Sequence, residues 1–139
     1  GEPLPGPRAL GALLLPCAAF RVALALALRG SFAPDEYWQA GEVAHRAVFG
    51  YGHLTWEWSA GIRGAFHPLA LCAPPMLLLR AAGLDARWAV AAAPRVVHAV
   101  LCAAGDVGAY CAALQRHGGS AARWALVASL GAWFTAYAG

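Results

Sequence analysis

The chain has 139 residues, of which 60% are hydrophobic and only 12% are Asp, Glu, Lys or Arg, against about 25% charged residues in an ordinary soluble domain. Mean hydropathy is +0.54, and the net charge of +3 comes from ten scattered Arg and seven acids. This excludes disorder, a disulfide-stapled mini-protein and a basic nucleic-acid-binding stripe, and it leaves too few charges to coat a water-soluble globule. The bilayer is the solvent that the composition fits, and the Arg read as membrane-boundary anchors.

Residues 1–8 are a short polar leader rich in Pro and Gly. The apolar run 9–29 predicts a first transmembrane helix, since twenty residues at 1.5 Å each cover about 30 Å of hydrocarbon. Pro16 is expected to kink it. Arg21 lies near its middle, at a cost of roughly 2.5–3.5 kcal/mol unless it faces protein or water. A buried partner in a further part of the protein, beyond this chain, is the expectation. A cleaved signal peptide over 9–33 is the rival reading, but the run is long for one and Arg21 would break it.

Residues 30–67 hold four of the seven acids, three of the five His and three of the six Trp. The window is too polar for lipid and reads as a loop between spans. Pro34 suits a first helical position, and Asp35 and Glu36 suit a first turn, where the helix dipole favours negative charge. The pattern that follows is amphipathic. Tyr37, Ala40, Ala44, Ala47 and Val48 share one face, and Asp35, Gln39, Glu42 and Arg46 share another. Gly50-Tyr51-Gly52 ends this helix, and Thr55-Trp56-Glu57-Trp58 reads as an interfacial aromatic segment.

Run 68–84 predicts a second span, interrupted by Pro74-Pro75. Run 88–114 predicts a third, carrying Pro94, Arg95, His98 and Asp106. Gln115–Ser120 predicts a polar turn, and 121–139 a fourth span cut short at the chain end. The fold class is all-α, a multi-spanning membrane protein, and the chain reads as part of a longer one. Arg8, Arg80 and Arg87 on the cytoplasmic side would put loop 30–67 in the lumen.

Cys17, Cys72, Cys102 and Cys111 form no CxxC pair and read as small packing residues. No His and Cys stand at paired zinc spacing; His45, His53 and His67 share the loop, where a metal site is the minor alternative. The chain lacks a Gly-rich phosphate loop, so a nucleotide site has no support and no cofactor is implied. The acids carry more. A carboxylate at a half-wet membrane boundary is placed to accept a proton from a sugar hydroxyl that attacks an activated anomeric carbon. Helix capping is the bland alternative for Asp35-Glu36. Asp106, inside an apolar run, reads equally as a buried ion pair or a substrate contact.

The stretch Phe32-Ala33-Pro34-Asp35-Glu36-Tyr37-Trp38-Gln39, with Glu42-Val43-Ala44-His45, Gly50-Tyr51-Gly52-His53-Leu54-Thr55-Trp56-Glu57-Trp58, Gly61-Ile62-Arg63 and His67-Pro68, resembles the first lumenal loop of glycosyltransferase family 22. Gly64 departs from the Ser usual there. The resemblance implies a GT-C fold and an endoplasmic-reticulum mannosyltransferase. Its implied donor is dolichyl-phosphate mannose. Its implied acceptor is the mannosylated lipid precursor of the GPI anchor, receiving a third mannose in α-1,2 linkage with inversion. Asp35 maps onto the family's catalytic base, with Glu36 beside it. Arg63, His67, Trp38, Gln39 and Asp106 are the expected substrate contacts, with no metal. The same chemistry on the N-glycan precursor, or a non-catalytic transporter or subunit whose acids serve ion pairs, are the alternatives.

Overall fold

The computed structural model describes residues 2–28 and 37–132, and among these every regular element is helical. Helix α1 is Pro7–Ala27. A π turn, Tyr37–Gly41, leads into α2, Glu42–Phe49. The single-turn helix α3 is Trp56–Ser59. A second π turn, Pro68–Cys72, leads into α4, Ala73–Ala81. Helix α5 is Arg87–His117, and α6 is Gly119–Gly131. The chain divides into two compact units, Gly1–Leu28 with His98–Gly139, and Arg29–Val97.

The first unit has an inside-out distribution of side chains. On α1 the buried positions are Cys17, Arg21 and Ala25, a stripe at four-residue spacing. Leu15, Phe20 and Leu26 are exposed on the same helix. Water would select the opposite order, whereas lipid accepts large apolar groups outward and leaves small ones for helix contacts. Ala99, Ala103 and Ala122 are fully buried and supply such close-packing positions on α5 and α6. Helices α1 and α5 are long and apolar enough to cross a bilayer. The protein is therefore an all-α membrane protein.

The interior of this unit holds an ion pair. Arg21 Nε and Nη2 donate to the two oxygens of Asp106 at 2.9 and 2.8 Å. Nη2 also donates to the Ser129 carbonyl at 3.0 Å, and the Ser129 hydroxyl donates to Asp106 at 2.5 Å. The residues are only 2% and 3% exposed, so the fork is sealed from solvent. This corrects the expectation for Arg21. Its partner is on α5 of the same chain, 85 residues away, rather than beyond the chain. Among the described residues no buried side-chain nitrogen or oxygen lacks a hydrogen-bond partner.

Other expectations shift in detail. Helix α1 starts at Pro7, a favoured first position, inside the expected leader, and it holds Pro16 in its interior. The leader is not idle, because Glu2 accepts a bond from Gly119 N–H at the positive end of α6. The expected turn at 115–120 shrinks to Gly118, whose φ of 84° suits only glycine comfortably. The apolar helical stretch Pro68–Ala81 is shorter than a full crossing, as is the described part of the fourth run. Pro74-Pro75 does not break its run. Neither proline has an N–H to offer the carbonyls four residues back, and the backbone widens just before them, with Ala73 N–H reaching Pro68 O.

The second unit has its core between α2, the Pro68–Cys72 turn, α4 and the start of α5. Ala44, Val48, Cys72, Met76, Val90 and Ala93 form it, with Ala40, Phe49, Ala73 and Leu79 packed around them. The two π turns also touch. Of the residues expected to share a face with Ala44 and Val48, Tyr37 and Ala47 are exposed, and Val43 is buried beside them. The π turn Tyr37–Gly41 holds an extra residue, so Tyr37 falls out of phase with the face of Ala44 and Val48 that follows it. Gly50, at φ 84°, closes α2, and Arg80 reaches the Val48 carbonyl while its guanidinium lies 5.5 Å over the Phe49 ring.

Replacing Asp106 by Ala leaves Arg21 charged and sealed, and a loss of about 3–5 kcal/mol is expected. The paired change Arg21→Met with Asp106→Leu should cost less than either single loss. Thermal unfolding of the purified protein in detergent measures both.

Candidate functional site

The polar side chains of the second unit gather along the segment from Tyr37 to Arg63. The π turn Tyr37–Gly41 carries Trp38 and Gln39, and α2 opens with Glu42. Gly50 and Gly52, both at positive φ, turn the chain back over α2. Glu42 Oε1 accepts the His53 N–H at 2.8 Å. A Cβ at position 52 would lie 2.6 Å from that same oxygen, which explains glycine there. The charge of Glu42, some burial and a hydrogen bond to Glu42 hold the Tyr37 phenol above its ordinary 10.0. Trp38 meets the His53 ring edge-on at 6.0 Å and the Tyr37 ring at 5.0 Å.

Helix α3 brings the second carboxylate. Glu57 Oε2 accepts from Gln39 Nε2 at 2.7 Å and from the Thr55 hydroxyl at 2.7 Å. Glu57 Oε1 accepts from Arg63 Nη2 at 2.8 Å. The Trp58 indole N–H donates to Gln39 Oε1 at 3.1 Å. Arg63, then Thr55 and Gln39, pull the Glu57 carboxyl down to about 2. Hydrogen bonds to the charged form stabilise it over the neutral acid. Glu57 is thus an anion at any physiological pH.

The expected site residues distribute as follows. Gln39 and Arg63 converge on Glu57, and Trp38 lies one residue before Gln39. His67 is exposed at the start of the second π turn. Asp106 belongs to the first unit and is bonded to Arg21 and Ser129, the ion-pair alternative of its two readings. Asp35 and Glu36 lie outside the described residues. Among the described residues His45, His53 and His67 form no joint ligand cluster. The His45 ring stacks on Phe49 at 4.7 Å and bonds to the Tyr51 carbonyl at 3.2 Å.

Sequence reasoning missed Glu57. It passed as part of an aromatic anchor, yet an acid between two Trp, with Arg six residues on, was the available signal. The arrangement offers a directional hydrogen-bond chain and a half-exposed guanidinium. An arginine fork so held suits a phosphate or sugar hydroxyls.

The Alg9-like mannosyltransferase family matches residues 12–139. Among curated proteins, Mannosyltransferase APTG1 of Arabidopsis thaliana is 43% identical over 88% of this chain and 22% of its own length. GPI mannosyltransferase 3 of Yarrowia lipolytica is 45% identical over 85% of this chain and 23% of its own. GPI alpha-1,2-mannosyltransferase 3 of Homo sapiens is 39% identical over 90% of this chain and 22% of its own. The chain thus spans between a fifth and a quarter of the length of these relatives. No solved structure shows significant similarity to it.

Two outcomes follow from this geometry. Gly52→Ala meets both a positive φ and Glu42, so it should destabilise the loop by more than about 1 kcal/mol, measurable by thermal unfolding. Glu57 has a depressed carboxyl, so its contribution is complete above the ordinary 4.5 and fades as pH falls towards about 2. The fluorescence of Trp58, taken as wild type minus Trp58→Phe, should stay flat from neutrality to that ordinary value and change only below it.

Proposed function

Because the chain belongs to the Alg9-like mannosyltransferase family, we propose that it is part of an enzyme that transfers mannose to the lipid precursor of the GPI anchor. The relatives named as GPI mannosyltransferases support that acceptor. The donor in this reading is dolichyl-phosphate mannose, and the enzyme is a multi-pass protein of the endoplasmic-reticulum membrane with the 30–67 segment in the lumen. Both substrates are then lipid-anchored. A site at the boundary of lipid and water lets each enter without leaving the bilayer.

The observation that carries the reading is the Gln39–Glu57–Arg63 cluster, whose Gln39 stands shortly after Asp35-Glu36 in the chain. Asp35 acts as general base, with Glu36 adjacent. It takes the proton of the acceptor hydroxyl as that oxygen forms its bond to the anomeric carbon. The bond from that carbon to the phosphate oxygen breaks, and dolichyl phosphate leaves with the electron pair. One displacement inverts a β-linked donor into an α-product, so no covalent enzyme intermediate is needed. Phosphate is a good leaving group, and a dedicated acid is dispensable. Arg63 supplies positive charge for the phosphate, with His67 and Trp38 nearby in the chain for sugar contacts.

In the full-length enzyme, Asp35→Asn should lower transfer by about 10²–10⁴-fold while leaving the protein in the membrane. The GPI precursor with one mannose fewer should accumulate in cells that depend on the variant. Unimpaired transfer would remove Asp35 from the role of base. Accumulation of a truncated N-glycan precursor instead would reassign the acceptor.

A further inference from the structure

Glu57 is held more tightly than an anchor between two interfacial tryptophans requires. Three donors from three places in the chain converge on it, from Gln39, Thr55 and Arg63. The Gln39 amide between Trp58 and Glu57 has a single permitted orientation. An indole N–H can only donate and an ionised carboxylate can only accept, so the amide oxygen must face Trp58 and the nitrogen Glu57. The result is a one-way chain, from Trp58 to Gln39 to Glu57, met from the other side by Arg63.

Gln39 sits in the π turn Tyr37–Gly41, where the extra residue leaves the helix its local irregularity. Asp35 and Glu36 immediately precede that turn in the chain. We propose that Glu57 is a positioning residue for mannose transfer: by locking Gln39 it holds the Tyr37–Gly41 turn, which follows Asp35-Glu36 in the chain, and by pairing with Arg63 it fixes the guanidinium plane offered to the donor. The inference rests on the reading of Asp35 as base. Neither task requires Glu57 to touch a substrate.

The chain of donors makes this separable from a merely structural role. In Glu57→Gln the new amide has one oxygen for two donors that each need it. If that oxygen meets Arg63, its N–H₂ faces that of Gln39. Turning the Gln39 amide over then sets its nitrogen against the Trp58 N–H. If the oxygen meets Gln39, its N–H₂ faces Arg63. Every arrangement leaves donor against donor. In Gln39→Glu two carboxylates face each other. Exchanging the two, Gln39→Glu with Glu57→Gln, restores the set. The carboxylate at position 39 accepts from Trp58 and from the amide at position 57, whose oxygen accepts from Arg63. The Thr55 hydroxyl turns to accept. Net charge is unchanged.

The test is the full-length enzyme in membranes, with mannose transfer from dolichyl-phosphate mannose to the GPI precursor normalised to the amount of enzyme present. Each single variant should lose about 10²-fold in kcat, the scale set by small misplacements of reacting groups. The exchange should recover most of that loss, a strongly non-additive pair. Wild-type kcat in Glu57→Gln overturns the proposal, as does an exchange no better than the singles. Failure of Glu57→Gln to accumulate in the membrane also overturns it, because Glu57 is then a folding residue. Asp35→Asn keeps the two readings apart. Its full activity would remove the base assignment, whereas only the position 39 and 57 variants bear on Glu57.

Discussion

The salt bridge between Arg21 and Asp106 is the constraint on which the first unit depends. An arginine in the middle of an apolar helix is stable there only if its charge and its donors are met without water. Asp106 meets two of the donors in a side-on fork, and the Ser129 carbonyl takes a third bond. The Ser129 hydroxyl in turn satisfies Asp106. Three helices, α1, α5 and α6, are thereby tied at one level. An apolar contact would permit sliding along the helix axes, but a bidentate fork permits one register. Replacing the whole cluster by hydrocarbon would save the desolvation cost and lose that register. The specificity of helix packing is the better account of its presence than added stability.

The second unit uses carboxylates differently. Glu42 and Glu57 each gather donors from segments remote in sequence, but both stay within reach of water. Two glycines at positive φ let the loop approach Glu42 closely enough for a backbone N–H to bond it. Behind this polar layer lies a small apolar core of Ala, Val, Cys and Met. The core packs α2 against α4, and the two π turns meet beside it. Gln39 and Glu42 therefore stand on packed elements, and hydrogen bonds from Gln39 and Trp58 tie the single-turn helix that carries Glu57 to them.

Much of this was legible in the sequence, and the parts that were not share a cause. Apolar runs announce α1 and α5 because lipid-scale hydrophobicity needs only composition and length. The helix ends at Pro7 and Gly118 lie within the leader and the polar turn that the sequence predicts, but their exact places follow from the fold. The family resemblance rested on a contiguous motif and needed no fold. The Arg21 side chain advertised a cost, but its partner is on a helix 85 residues away, and no local pattern carries that distance. The π turns are invisible for a different reason. One extra residue in a turn has no compositional signature, yet it shifts Tyr37, before the turn, out of register with Ala44 and Val48 after it. Glu57 was read by its neighbours, two tryptophans, instead of by the donors that the fold brings to it.

The contrast between the two ion pairs bears on what the loop cluster is for. Arg21 and Asp106 are sealed, and breaking them leaves a charge with nowhere to go. Arg63 and Glu57 are 39% and 18% exposed, and an ion pair within reach of water adds little to stability. Stability alone is thus a poor reason for a carboxylate to collect three donors and strip the alternative orientation from a neighbouring amide. Geometry is a sufficient one. Under the proposed mechanism, taking the proton from the attacking hydroxyl tolerates little misplacement of the base. In the proposed reaction a lipid-anchored acceptor arrives with its own orientation set by the bilayer, and the protein then has to hold its side equally still. A network whose every member can only donate or only accept does so without needing to be strong.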